Sequence, residues 1–549
     1  MFRPNNSHNQ GSLLDSTHWM NPKVREKLEK TWAPVFYQYV FSQIDEEPFS
    51  VLYGTVGTPN FPINILLSLE YIKHMKDCSD LELLDSFAFD YQVNYAVGVR
   101  TLGELNLARR TLYYFRERVY RYCEENPGKE DFLFGPFQKL LDVFAEKAGI
   151  MLDKQRTDTT LFMSNIKKAG RMSLAYDVLE TAVKVIPEAE RPESLAKVLE
   201  PGFKTDVLYR AKAQESDSKL TLLLNLCEEA VTVLQKLGNL AVVETIKVAE
   251  AVKLVERFLD EQSVIDEETG RRSPKAKKEI ASGSLQSAYD PDATFRRKGN
   301  ECHSGYALEL TETCNKENPF QLITDYKVTP NNVSDQEILA GRLETIRENT
   351  GCTDMYVDGG FHSEDVHRIA EENGIKIHLT NMSGTKPTTK LPVTAFTIDP
   401  DTYIIQQCPR GFIPLRAGES KGQTTAHFSH EDCGDCELFG QCHSKKQGKD
   451  CIVRINIKAI DAGRLRANMQ KHQRENTSMR AAIEGTNSAM KRKGQDKLAV
   501  RGIVKSTVVS GLKATAQNIK RFAKYMCGGY KDKSAKTLIS GIPVLIYNG

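Results

Sequence analysis

Three acidic residues stand in surroundings suited to phosphoryl-transfer chemistry. They are Asp158 in Gln155-Arg-Thr-Asp-Thr-Thr160, Asp358 in Tyr356-Val-Asp-Gly-Gly-Phe-His-Ser363, and Glu484 in Arg480-Ala-Ala-Ile-Glu-Gly-Thr-Asn-Ser-Ala-Met-Lys491. Clustered carboxylates supply the hard oxygen donors that magnesium and manganese prefer. Two such ions about 4 Å apart can clamp the attacking and leaving oxygens of an in-line displacement at phosphorus. On one helix, Arg480, Glu484 and Lys491 would fall within an arc of roughly 40°, because each residue turns the helix by about 100°. That face would set a metal-binding carboxylate between two phosphate-binding cations. An i,i+4 ion pair would account for Arg480 and Glu484 just as simply. With 72 acidic residues in the chain, the bare spacing of three acids decides little.

The elements that must position these residues are legible in outline. Residues 1–148 read as helical. Asn21-Pro22 caps a helix to about Trp32, and Pro62–Lys76 has an apolar face of Ile65, Leu66, Leu69, Ile72 and Met75. Ser79-Asp-Leu-Glu82 and Thr101-Leu-Gly-Glu104 read as capping boxes, the second opening a long helix toward Cys123. Ile150–Met163 favours a strand, helical periodicity returns over about 164–260, and 266–282 reads as charged loop. Strands follow near Gly305–Thr311 and Gln321–Val328. Next come a helix over Asp335–Asn349, a strand at Asp354–Val357, a helix over Ser363–Asn373 and a strand at Ile375–Leu379. Residues 381–456, rich in Gly, Pro, Thr and Cys, read as an inserted module, and helices return from about Ile460 to Tyr525. This order predicts an α/β (α+β multidomain) protein with a mixed sheet faced by helices.

The 549 residues carry a formal charge of only +2, but the charge is unevenly spread. From Gln441 to Ser540 there are 23 Lys and Arg against 6 Asp and Glu, a surplus of 17, so the rest of the chain is at about −15. A basic end on a near-neutral protein suits a polyanion. No apolar run is long enough to span a membrane. The polar start Met1-Phe-Arg-Pro-Asn-Asn-Ser lacks the apolar segment of a secretory signal, so a cytoplasmic protein with reduced thiols is expected. Five of the 12 cysteines fall between Cys408 and Cys451. Cys408, Cys433, Cys436 and Cys442 have spacings that a structural zinc site can use, with Cys451 and His443 as spare candidates. Free buried thiols are the alternative.

The contexts of the acids resemble those of bacterial insertion-sequence transposases of the DDE class. Gln155-Arg-Thr-Asp158-Thr-Thr followed by Ser164-Asn-Ile is similar to their first-aspartate block. Ser287-Ala-Tyr-Asp-Pro-Asp292, Lys298-Gly and His303-Ser-Gly-Tyr306 are similar to their second-strand block. Asp358-Gly-Gly-Phe-His-Ser resembles the second-aspartate block, and Arg480, Glu484 and Lys491 match a Tyr-x2-Arg-x3-Glu-x6-Lys signature whose tyrosine is replaced here by Thr477. Arg501-Gly502 and Asn518-Ile-Lys-Arg521 fit the family's C-terminal end. The resemblance implies an RNase H-like core over 149–163, 286–380 and 457–530, with a helical insertion at 164–285 and the Cys-rich insertion at 381–456. An N-terminal helical DNA-binding domain over 1–148 completes it. It further implies catalytic and Mg²⁺- or Mn²⁺-binding Asp158, Asp358 and Glu484, and DNA contacts from Arg480, Lys491, Arg501, Asn518 and Arg521. The partners implied are transposon ends and target DNA, bound by a homodimer at the bacterial nucleoid. A metal-dependent nuclease that does not join strands, and a regulator descended from a transposase with a dead site, are the rival readings.

Overall fold

The computed structural model describes residues 1–9, 15–128, 131–167, 169–209, 215–239, 245–265, 270–381 and 389–529. The chain forms two units: Met1–Gly351 together with Ile483–Gly549, and Cys352–Ala482.

The first unit begins with helices. α1 (Pro22–Glu29) starts as the sequence predicts, with the Asn21 side chain accepting from Lys23 N–H, and α2 (Trp32–Tyr39) follows under a Thr31 cap. α3 (Ile63–Lys76) departs from the amphipathic expectation, since Ile63 to Ile72 are buried without a break. α4 (Asp80–Phe89) carries the reciprocal Ser79–Glu82 capping box, and α5 (Tyr91–Ala96) follows at once. The second expected box fails. Thr101 to Glu104 form a turn in which Gly103 takes φ +79°, and α6 (Arg109–Glu125) starts well beyond it. α7 (Phe134–Ala148) ends at Gly149 in the left-handed region.

β1 (Lys154–Phe162) then enters the sheet. The expected helical insertion is present as α8 (Arg171–Val185), α9 (Glu193–Ala196), α10 (Pro201–Lys204), α11 (Ser216–Asn239) and α12 (Thr245–Gln262). These helices close a core of their own around Leu179, Leu223, Leu224, Val255 and Phe258. Where a charged loop was expected, β2 (Ser263–Ile265) and β3 (Arg272–Pro274) pair as a short hairpin, and residues 266–269 lie outside the described residues. β4 (Thr294–Lys298), absent from the sequence expectation, pairs with β5 (Glu301–Thr313). β5 is antiparallel to β1 on one side and to β6 (Ile323–Pro330) on the other. The helix expected over Asp335–Asn349 is split into α13 (Asp335–Ala340) and α14 (Leu343–Thr350). At the split, Arg342 turns inward and grips Asp325 on β6 through two hydrogen bonds of 3.0 and 2.6 Å.

In the second unit, β7 (Asp354–Val357) and β8 (Lys376–Leu379) pair in parallel, joined by α15 (Glu364–Glu372). The Cys-rich module pairs β9 (Thr397–Ile398) with β10 (Ile405–Gln407). It also builds an antiparallel sheet in the order β11 (Arg416–Ser420), β12 (Gln423–Ser429), β14 (Asp450–Asn456), β13 (Ser444–Gln447), with α16 (His430–Gly434) after β12. α17 (Ile457–Ala481) leads out of it.

The chain returns to the first unit as α18 (Ile483–Met490) and α19 (Ile503–Met526). α19 is the hub. Tyr326 of β6 lies so close to Gly511 that a Cβ there would collide with its ring, while Val508, Leu512, Ile519 and Phe522 share one core with the N-terminal helices. The N-terminal helices are therefore packed into this unit through α19, and α3 is buried all round for the same reason. The mixed helix-and-sheet content agrees with the expected α/β class. Among the described residues no helix is long and apolar enough to cross a membrane.

Candidate active site

Asp158 sits in the middle of β1, opposite Leu310 on β5, and is partly exposed. Side chains alternate across a strand, so Arg156 and Asp158 share the sheet face on which α18 lies. That helix buries Ile483, Thr486, Asn487 and Met490, the i, i+3, i+4, i+7 pattern of a helix laid on a surface, and leaves Glu484 exposed beside them. Asn487, one turn on from Glu484, donates from Nδ2 to Asp158 Oδ2 at 3.1 Å. The Glu484-bearing helix is thereby tied directly to the first expected acid.

A second attachment fixes the same helix. Glu312 of β5 is fully buried, and Arg156 reaches its Oε1 through Nε (2.9 Å) and Nη2 (2.7 Å). Its Oε2 accepts from Thr486 Oγ1 at 2.7 Å and from Arg521 Nη1 at 3.0 Å, and Arg521 Nη2 also donates to Thr486 Oγ1. Two guanidiniums and a hydroxyl thus satisfy one buried carboxylate and lock β1, β5, α18 and α19 together. The sequence reading missed Glu312, Arg156, Thr486 and Asn487; the signal that could have found the last two is their place in Glu484-Gly-Thr-Asn487.

Two residues expected to bind DNA make hydrogen bonds within the first unit. Asn518 is buried, with Oδ1 accepting from Ile323 N–H (2.8 Å) and Nδ2 donating to Ile323 C=O (2.7 Å), so it stitches α19 to β6. Arg521 is committed to Glu312 and Thr486. Arg501 is exposed, lies 5.1 Å from the Tyr289 ring centroid and donates to Asn165 C=O. The block upstream of β5 is architectural: Asp290 is fully buried and accepts from Ser164 Oγ and from Tyr306 OH (2.6 Å).

The expected single helix over Arg480–Lys491 is two helices. Arg480 belongs to α17 and Glu484 to α18, while Lys491 opens an irregular turn in which Gly494 takes φ +72°. Within the second unit, Asp358 ends β7 and caps the next turn, its Oδ1 accepting from Gly360 N–H at 2.7 Å. A Cβ at Gly359 would meet Asn381, which explains the glycine. Arg480 Nη2 lies 3.5 Å from Asp358 Oδ2, a pairing the sequence reading did not foresee, since it set Arg480 beside Glu484.

The four expected cysteines Cys408, Cys433, Cys436 and Cys442 line one cavity with Phe412 and Phe439. Burial, reinforced by Cys451, pushes the Cys433 thiol up to about 12, and burial raises Cys442. Both are therefore protonated at neutral pH. Among the described residues no group of three or more His, Cys, Asp or Glu side chains is arranged to hold a metal ion. Soft sulfur donors suit zinc, but they are not preassembled, and binding would have to displace thiol protons.

Residues 408–523 match the family described as Transposase DDE domain. The match spans 116 of the 549 residues. The matched segment includes Arg480, Glu484, Lys491 and the four cysteines, whereas Asp158 and Asp358 lie N-terminal to it. The match supports an enzyme of the nuclease or transposase kind. No curated protein and no solved structure matches the chain.

The outer face of α6 is a further surface of the first unit. Arg116 points inward, to Glu70 (2.7 Å) and Asp80 (2.8 and 2.6 Å). Arg110, Tyr113, Tyr114, Arg118 and Arg121 are exposed. Arg109 and Arg110 each donate to the tyrosine four residues on, at 2.5 Å. A helix face of arginines and tyrosines suits the edges and backbone of duplex DNA.

Proposed function

We propose that this protein is a DNA transposase with an RNase H-like core, in which Asp158, Asp358 and Glu484 hold Mg²⁺ or Mn²⁺. The reading is carried by the hydrogen bond from Asn487 to Asp158, which ties the helix bearing Glu484 in the DDE domain to an acid far upstream. The donor chemistry suits the metal, since the three side chains offer carboxylate oxygens and Asn487 Oδ1 is buried without a hydrogen-bond partner. When bound, divalent metal would supply Lewis acidity and lower the pKa of coordinated water. The chain's own work is placement. Glu312, Thr486 and Arg521 hold α18 against β1, Asn487 orients the Asp158 carboxylate, and Arg480 and Lys491 offer cations to DNA phosphates. Such contacts position the strand without reading its sequence.

In this reading, hydrolysis of the phosphodiester at each transposon end frees a 3′-hydroxyl, which attacks a target phosphodiester. A homodimer pairs the two ends, α6 serves end recognition, and the Cys-rich cavity takes a structural zinc. The test combines purified protein, DNA carrying the element's ends, a target plasmid, and Mg²⁺ or Mn²⁺. Cut and joined products that depend on metal, and that vanish in Glu484→Gln, are expected. Cutting without joining would replace the reading with a nuclease. DNA binding with no product, unchanged by the substitution, would replace it with a regulator. Elemental analysis should find zinc in wild type and less in Cys436→Ser.

A further inference from the structure

Beyond α18 the chain turns through Lys491-Arg-Lys-Gly-Gln495 and meets two lysines of α19. Lys513 Nζ donates to the carbonyl of Lys493 and lies 3.8 Å from where a Cβ of Gly494 would stand. Lys493 Nζ donates to Gln517 Oε1 at 3.3 Å, and Lys520, three residues further along α19, adds a like charge that acts on it. Lys493 and Lys513 are thus partly buried on neighbouring segments, with the exposed Lys520 beside Lys493.

The surroundings do not balance them. From α3, Lys73 is paired with Asp80 at 2.7 Å, and Arg116 of α6 is taken by Glu70 and Asp80. His74, also on α3, is held neutral by burial and by Lys513, Lys73 and Arg116. The carboxylates acting on the lysines are Asp77, from the end of α3, and Asp496, from the turn. Burial, then Lys520, lowers Lys493 to about 8, and burial with Lys73 lowers Lys513 to about 8, despite Asp77. Crowding like charges costs stability unless an anion joins them.

We infer that Lys493, Lys513 and Lys520 hold a phosphate of the DNA backbone, a few nucleotides from the Glu484 end of α18. α18 has eight residues and is about 12 Å long. That length corresponds to three or four base steps at roughly 3.4 Å each. The exposed Lys491 and Arg492 extend the same grip. The DNA source of the phosphate rests on the transposase reading; the pocket itself does not.

The test is anisotropy of a labelled duplex of arbitrary sequence, over a salt series without divalent metal, for wild type, Lys493→Gln, Lys513→Gln and Lys493→Arg. Each Gln variant is expected to weaken binding for every sequence and to lower the salt slope by about one, while Lys493→Arg binds like wild type. Proton uptake on binding near pH 8, read in two buffers of different ionisation enthalpy, is expected in wild type and smaller in the Gln variants. Unchanged affinity and slope in variants that melt like wild type would overturn the inference. So would millimolar inorganic phosphate that raises the melting temperature through these lysines while the salt dependence of DNA binding ignores them. Binding through the lysines without cleavage would sink the transposase reading and keep this one; cleavage with an unaltered salt slope would do the reverse.

Discussion

Two polar clusters flank α18, and they differ in how their charges are met. At Glu312 every charge has a partner: Arg156 and Arg521 converge on one buried carboxylate and Thr486 completes it. Around Lys493, like charges from Lys513 and Lys520 gather near Asp77 and Asp496, and Lys493 and Lys513 lose part of their basicity. Matched buried charge holds elements in place, whereas unmatched charge costs stability and is retained where a ligand completes it. The comparison assigns the first cluster to architecture and the second to a bound phosphate.

The largest expected effect breaks the matched cluster. Glu312→Ala leaves the buried Arg156 and the partly buried Arg521 guanidiniums without their carboxylate and is expected to cost about 3–5 kcal/mol; urea denaturation measures it. Next is Asn487→Ala. Loss of a group that orients a metal ligand is expected to lower cleavage by about 10–100-fold, with DNA affinity and melting temperature near wild type. Unchanged cleavage would detach α18 from the chemistry. The unmatched cluster should respond with the opposite sign. Lys493→Gln removes repulsion and is expected to leave stability equal or slightly raised, while DNA affinity falls. Because the folded pKa of Lys493 and Lys513 is about 8 against an ordinary 10.5, the folded state binds fewer protons between those values. Wild-type stability should therefore rise over that window relative to the double Gln variant.

The smallest expected effect concerns Glu309 on β5. It is buried and both its carboxyl oxygens lack hydrogen-bond partners, and burial, then Asp325 and Asp335, raises its pKa well above 4.5. A raised carboxyl favours folding fully below its unfolded value and loses that contribution as pH climbs toward its folded value. Glu309→Gln is expected to flatten the fall in stability above pH 4.5, measured by melting temperature across pH.

Local signals carried much of this architecture. The Ser79–Glu82 box, the Asn21-Pro22 start and the β1 run were legible because caps and β-branched residues act within a few positions. The Thr101–Glu104 box misled because Gly103 makes a turn there. The break at Ala482 and the split at Gly341 were invisible because packing decides them. Asp158, Asp358 and Glu484 stood out through their neighbours in sequence, whereas Glu312 and the lysine pocket are assembled from segments up to several hundred residues apart. Asn518 and Arg521 were expected as DNA contacts because their block resembles the family's C-terminal end; their hydrogen bonds tie α19 to β6, β5 and α18.

The central claim is that Asp158 and Glu484 serve one metal-dependent cleavage, and the most direct measurement is the single-turnover cleavage rate of end-bearing DNA. Asp158→Asn and Glu484→Gln should each cut more than about 100-fold more slowly than wild type, since even outer-shell partners of a metal ligand cost 10–100-fold, while both bind the DNA and melt normally. Wild-type cleavage by either variant would contradict the account.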